Sequence, residues 1–245
     1  MSKLTLLATA LLASSALAFA QEATPVQADA PTLSFTLKNT VASEYIFRGQ
    51  EYGDLTYSPS LSAAWRDFYA GVVGTVSDNL LLGDYEIDGY VGAGRALSER
   101  LSIDGGVVLY HYSGRNVLGK TGNDTVEPYA GLVATTGPVK VSLYYYYDLM
   151  IDDSTYEFAA AYSLPLEALR TSLNLTATAG YVTGDLTENY YIVDDYVYYG
   201  LRAELPFVLR ENATLTLGLS VTDVNEDAIN RGAELTAATS LALTF

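Results

Sequence analysis

From Leu33 to Phe245 the chain alternates apolar and small polar residues with a period of two, and no long window carries the 3.6-residue period of an amphipathic helix. A strand sends successive side chains to opposite faces, so this pattern predicts sheet with one apolar and one polar face. The last segment is the clearest. Ala233, Leu235, Ala237, Thr239, Leu241, Leu243 and Phe245 share one face, and Glu234, Thr236, Ala238, Ser240, Ala242 and Thr244 share the other. The same pattern recurs over Leu215–Val221, Leu173–Tyr181 and Val139–Tyr147. Segmented throughout, the chain gives about twelve strands of transmembrane length, near 33–47, 57–65, 68–77, 84–96, 100–112, 125–136, 138–148, 155–164, 170–182, 190–205, 213–222 and 232–245. Pro59 weakens the second, because proline cannot donate to the ladder.

The connections sort by length. Arg66-Asp67, Leu97 to Glu99, Gly137-Pro138, Pro165 to Ala168 and Pro206 to Asn212 are short. Between them lie mostly longer, more acidic loops at 49–56, 78–83, 113–124, 149–154, 183–189 and 223–231. An up-and-down membrane barrel has short periplasmic turns and longer outer loops, and an even strand count puts both ends on the periplasmic side. A soluble sandwich would bury its apolar faces against each other and charge the outer ones. Here the polar faces carry Thr, Ser, Gly and Tyr with few charges, which suits a narrow wet lumen. The predicted fold is therefore all-β: a single antiparallel up-and-down transmembrane β-barrel of about 12 strands over residues 32–245.

The N-terminus predicts the export such a fold requires. Lys3 is the only charge in residues 1–20, an apolar run follows from Leu4 to Leu12, and Ala18-Phe19-Ala20 precedes Gln21. This is a secretory signal peptide over 1–20 with cleavage between Ala20 and Gln21. Residues 21–31, rich in Ala, Pro and acid, read as a flexible periplasmic tail.

Charge and residue types then exclude functions. A net charge of −16 argues against a nucleic-acid partner, whose phosphates need basic neutralisation. With no cysteine and one histidine, neither a disulfide framework nor a transition-metal site is expected. No Gly-rich phosphate loop follows a strand, so no nucleotide or other cofactor is expected.

Two resemblances add to this. The alternating C-terminal strand ending in Phe245 resembles the signal by which outer-membrane barrels engage the barrel-assembly machinery. Val41-Ala42-Ser43-Glu44-Tyr45-Ile46-Phe47-Arg48-Gly49 resembles the opening S-(D/E)-Y-x-F-R-G of the TorF-type (Gcw_chp) family of outer-membrane porins. Phe68-Tyr69-Ala70-Gly71-Val72 is similar to its F-Y-A-G strand, and Tyr85 to Gly92 to its E-(L/I)-D-x-Y-x-G strand. Gln50-Glu51 departs from the family's Ile-Ser pair, in the first outer loop. The resemblance implies a barrel and a porin-like role.

Projected onto the polar face, the pore-lining set is Lys38, Glu44, Arg48, Glu86, Asp88, Asp104, Glu127, Lys140, Glu157, Arg202, Glu204 and Glu234. Tyr90, Tyr110, Tyr144, Tyr146 and Tyr198 share that face and would set the constriction. Acids predominate, which predicts a narrow passive channel for small solutes or ions that prefers cations. The alternative is a structural or binding barrel plugged by pairing among these charges. The partners expected are outer-membrane lipid and the permeating solutes. Tyr45, Phe47, Tyr85, Tyr145, Tyr147, Tyr156, Tyr181 and Tyr191 should form one aromatic girdle. Trp65, Phe68 or Tyr69, Phe207 and Phe245 should form the other. His111-Tyr112-Ser113 places His and Ser on one face, the minimum for a lipid hydrolase if a carboxylate orients the ring. Asp152-Asp153 and Glu226-Asp227 are the best carboxylate pairs for a loop Ca²⁺ site.

Overall fold

The computed structural model describes residues 33–81, 83–114, 124–184, 193 and 195–245. Twelve antiparallel strands close into a barrel. They are β1 (Ser34–Ala42), β4 (Thr56–Trp65), β5 (Phe68–Ser77), β6 (Glu86–Ala96), β7 (Leu101–Tyr112), β8 (Asp124–Thr136), β9 (Val139–Asp148), β10 (Asp153–Leu166), β11 (Thr171–Thr183), β12 (Asp195–Arg210), β13 (Ala213–Val224) and β14 (Glu234–Thr244). Each pairs with its neighbour in sequence, and β1 closes the ring between β4 and β14. Phe245 is tied into that seam: its N–H donates to Phe35 O at 2.8 Å and its carbonyl accepts from Phe35 at 3.0 Å. The predicted cleavage site at Ala20 and Gln21, the 21–31 segment and Tyr191 lie outside the described residues.

The register follows the alternation. Leu61, Leu109, Leu143, Leu201 and Leu219 point outward and are exposed, a face no water-soluble barrel would present. Among the described residues, outward charges and the outward histidine of the wall stand at strand ends, such as Arg95 at the end with short turns and His111, Asp124, Asp195 and Asp223 at the end with long loops. A charge at the middle of a bilayer costs a few kcal/mol and one near its surface little, so this banding is that of a lipid-facing wall. Trp65 stacks on Phe68 at the turn end, and Tyr145, Tyr156 and Tyr181 line up at the loop end. Tyr69, by contrast, is buried in the lumen.

Pro59 does not exclude β4 from the wall. The β4/β5 ladder is interrupted at Ser58-Pro59, where the missing N–H would have paired, and resumes unshifted at Ser60↔Val73. β12 also runs on into the expected Pro206–Asn212 loop as far as Arg210, with a register shift between Val208 and Arg210.

The expected first strand, 33–47, is shorter than its pattern. The first strand does not continue to Phe47: β1 stops at Ala42, and the chain folds into a separate hairpin, β2 (Tyr45–Phe47) and β3 (Gln50–Gly53). The reversal is at Arg48-Gly49, where both residues have positive φ, 49° and 82°. That is the two-residue turn pattern suited to a tight hairpin. Glycine is required there, since a Cβ on Gly49 would fall 2.5 Å from Val224 Cγ1 and 2.6 Å from Tyr198 Cβ. Glu44 and Arg48 are thus not wall residues. Glu44 sits beside β14, where Thr236 Oγ1 donates to its Oε2 at 3.3 Å. Tyr45 and Phe47 leave the girdle and pack against lumen tyrosines.

Candidate functional site

The lumen is built of tyrosine against glycine. Tyr69↔Gly92, Tyr90↔Gly71, Tyr144↔Gly131 and Tyr198↔Gly180 are direct cross-strand partners. In each pair the ring occupies the volume a Cβ on the glycine would need, with contacts of 2.1 to 2.4 Å. Inward rings can lie flat on the wall only where the neighbour has no side chain. The result is a buried aromatic layer including Tyr52, Tyr69, Tyr90, Tyr110, Tyr112, Tyr129, Tyr144 and Tyr146.

The β2–β3 hairpin crosses this layer. Phe47 meets Tyr110 edge-on with centroids 6.1 Å apart, and Tyr45 and Phe47 pack on Tyr52 at 5.8 and 5.9 Å. At the tip, Arg48 Nη2 lies 2.9 Å from Oε1 and 2.7 Å from Oε2 of Glu127 on β8. The guanidinium stands 4.8 Å from the Phe47 ring centroid and 5.1 Å from that of Tyr146 on β9. Beyond the turn, Gln50 Nε2 donates to Tyr196 Oη at 2.9 Å, and Asn230 Nδ2 donates to Gly49 O at 2.5 Å. The hairpin therefore reaches from its root beside β1 and β4 to the β8, β9 and β12 walls.

Around Arg48 the lumen is acidic. Glu86, Asp88, Glu127 and Glu157 are buried as their parity predicted. Tyr45 hydrogen-bonds Glu86, Tyr110 donates to Glu127 at 3.1 Å, and Tyr198 donates to Glu157 at 2.5 Å. Asp88 is buried between two other carboxylates, Glu86 and Glu127, and its polar contact is the carboxyl of Glu86. Two further carboxylates, Asp148 and Asp153, were missing from the expected set although both are buried in the same cluster. Parity was the available signal: Asp148 is in phase with Tyr144 and Tyr146, and Asp153 with Glu157. Oxygens of Glu127, Asp148 and Asp153 lie within 4.8 Å of one another.

The remaining lumen charges, Glu234 apart, lie nearer the turn end or mid-strand. Asp104 accepts from Tyr69 at 2.7 Å and Tyr144 at 2.9 Å, with Lys140 as a charged neighbour. Arg202 stands 3.9 Å from Glu204, and Lys38 is buried midway along β1. Glu234 is half-buried at the loop end of β14. Among the described residues the buried charges are thus sorted along the axis: most acids lie toward the loop end around Arg48, and Lys38, Lys140 and Arg202 stand in the middle and turn-end parts.

The other candidates separate. His111 Nδ1 is 2.5 Å from Asp124 Oδ1, but Ser113 Oγ accepts from the N–H groups of Asp84 at 2.6 Å and Tyr85 at 2.8 Å. No hydrogen bond joins His111 to Ser113 among the described residues, so the carboxylate is present and the nucleophile is turned elsewhere. Asp152 and Asp153 do not form a calcium pair. Asp152 is exposed and takes the Tyr147 hydroxyl, while Asp153 is buried. Their side chains diverge because a strand begins at Asp153. Glu226 accepts from Asn225 Nδ2 at 3.2 Å, within its own turn.

The sequence matches the family model described as "Bacterial protein of unknown function (Gcw_chp)" over residues 26–242. No curated protein matches it. Among solved structures, the KdgM porin superposes with a TM-score of 0.57 at 13% identity, covering 86% of this chain and 99% of that one, in its complex with disordered oligogalacturonate. The NanC porin gives 0.53 at 10% identity, covering 85% and 98%. The COG4313 outer membrane channel from Pseudomonas putida F1 gives 0.51 at 10% identity, covering 89% and 97%. The shared property is the fold: a small closed barrel of the outer-membrane channel type.

Proposed function

Because the chain belongs to the Gcw_chp family and has the fold of outer-membrane channels, we propose that it is an outer-membrane channel for small solutes, cation-preferring at its loop end and narrowed by the β2–β3 hairpin. In this reading residues 1–20 are the export signal, cleaved after Ala20, and 21–31 are the periplasmic leader into the barrel. Both barrel termini are periplasmic, and Phe245 addresses the chain to the assembly machinery. The loop end faces outward, so a solute meets the acidic layer first.

The observation that carries this reading is the axial sorting of charge inside a lipid-faced barrel. A structural barrel needs a filled interior; it does not need buried carboxylates in excess around a single guanidinium. Such a layer lowers the energy of a cation in the pore and raises that of an anion. The KdgM porin is in complex with disordered oligogalacturonate, an anion, and the acid-rich layer here fits a solute of opposite sign. The test is recording in planar bilayers under a KCl gradient. Discrete steps with a reversal potential on the K⁺ side are expected; silence at all voltages sinks the channel.

The hairpin favours a second reading, in which the closed lumen only binds. Arg48→Ala separates the two. A channel should gain conductance when the hairpin loses its anchor, whereas a binding barrel stays silent.

A further inference from the structure

We propose that the place Arg48 occupies at Glu127 is a recognition site for guanidinium-bearing organic cations, which displace Arg48 and release the β2–β3 hairpin; this rests on the channel reading above. The geometry around Arg48 is already that of a guanidinium receptor. A planar cation needs a carboxylate and aromatic faces. Glu127 offers both oxygens at 2.9 and 2.7 Å, Tyr146 provides a ring at 5.1 Å, and Tyr110 fixes the carboxylate from behind at 3.1 Å. Glu127, Tyr146 and Tyr110 belong to the wall and stay when the hairpin leaves.

The charge balance invites a second cation rather than repelling it. Glu127, Asp148 and Asp153 bring three carboxylates together at one guanidinium, and Asp88 nearby, 2% exposed and flanked by Glu86 and Glu127, adds a fourth. The same groups are poorly disposed for a divalent metal. Both Glu127 oxygens are turned to Arg48, and Asp148 Oδ1 is committed to the Thr125 hydroxyl and the N–H groups of Met150 and Ile151. They are arranged for N–H and O–H donors.

Arg48 is also a replaceable occupant. It stands on a two-residue turn, tied elsewhere by Gln50 to Tyr196 and by Gly49 to Asn230. A tethered side chain acts as a local competitor at an effective concentration of roughly millimolar order, so a free guanidinium must reach that range to displace it.

The experiment uses the full chain in detergent and methylguanidinium as probe, followed by calorimetry. Wild type should bind it saturably in the millimolar range. Arg48→Ala should bind at least ~10-fold tighter, because the competitor is gone. Glu127→Gln should not bind. Methylurea, the same shape without charge, should not bind either. In bilayers, methylguanidinium on the loop side should raise wild-type current. Equal binding of methylurea, or binding unaffected by Glu127→Gln, overturns the assignment, and so does displacement of the probe by micromolar Ca²⁺. Binding without conductance in any variant keeps the site and ends the channel. Conductance with flat calorimetry ends the site and keeps the channel. If Arg48→Ala does not fold, the wild-type and Glu127→Gln titrations decide alone.

Discussion

Leu219 lies near the middle of β13 on the outward face and is 57% exposed. It stands five residues from the loop-end residue Val224, which at ~3.4 Å per residue and a tilt of ~40° is about 13 Å below the rim, half of a ~25 Å apolar band. Leu235, 66% exposed on the same face, is the second residue of β14 and sits at the rim. Leu219→Arg should therefore cost ~2–4 kcal/mol and Leu235→Arg ~0–1 kcal/mol. At ~1.4 kcal/mol per decade, the first lowers the folding equilibrium constant roughly 30- to 700-fold and the second at most about fivefold. The assay is reversible denaturant unfolding in lipid vesicles, read by tyrosine and Trp65 fluorescence. Equal costs at the two depths would refute the lipid-facing assignment, because a wall in water has no depth dependence. A large cost for Leu235→Arg alone would refute the register.

Other perturbations test the interior. Gly180→Val places a Cβ 2.1 Å from Tyr198 Cζ and should cost ~1–3 kcal/mol by overpacking, measured as a lower denaturant midpoint. Gly74→Ala, with nothing within 4 Å, should stay within ~0.5 kcal/mol in the same measurement. Arg48→Ala leaves Glu127 buried beside Asp148 and Asp153 and should destabilise by ~3–5 kcal/mol, with Arg48→Ala/Glu127→Gln recovering part of it in a double-mutant cycle. His111→Ala should leave conductance unchanged and bring no loss of lipid hydrolysis, since Ser113 is turned away.

The wall was legible because one period governs it. Parity assigned Lys38, Glu86, Asp88, Glu127, Glu157 and Glu204 to the lumen, and the sheet has no means of disobeying parity once one face meets lipid. The hairpin was not legible for the same reason. Glu44 and Arg48 share the parity of Lys38, and Tyr45 and Phe47 that of Val41, so the pattern reads straight on from β1, although Ser43 N already makes a rim bond to Ala237 O at 2.8 Å. The strand breaks at the bend of Ser43-Glu44, and the chain then reverses at Arg48-Gly49, a turn signal only if arginine is allowed positive φ. The departure from the family pattern at Gln50 falls on a residue with a tertiary role, the bond to Tyr196 on the far wall. Asp153 was hidden differently: beside Asp152 it reads as loop, and only the register Asp153↔Asp148 makes it wall.

These features bear on why a closed lumen and a channel belong to one molecule. A permanent plug would be held by packing along its length. Here Tyr45, Phe47 and Tyr52 pack the body of the hairpin against lumen tyrosines, and its tip is held by polar contacts at one turn: Arg48 to Glu127, Gln50 to Tyr196, Gly49 to Asn230. Net hydrogen-bond contributions of ~0.5–1.5 kcal/mol each, offset by the desolvation of Arg48, make the tip the end at which the hairpin is most readily released. The wall does not rearrange when the hairpin withdraws, because each strand is paired on both sides without it. Withdrawal removes a cation from the acidic layer, so the open state is the one with the stronger pull on cations. Opening and selectivity are then set by the same carboxylates, and raising external K⁺ should increase open probability and current together in wild type, but only current in Glu127→Gln. A wild-type open probability independent of cation concentration would separate the two and refute the coupling.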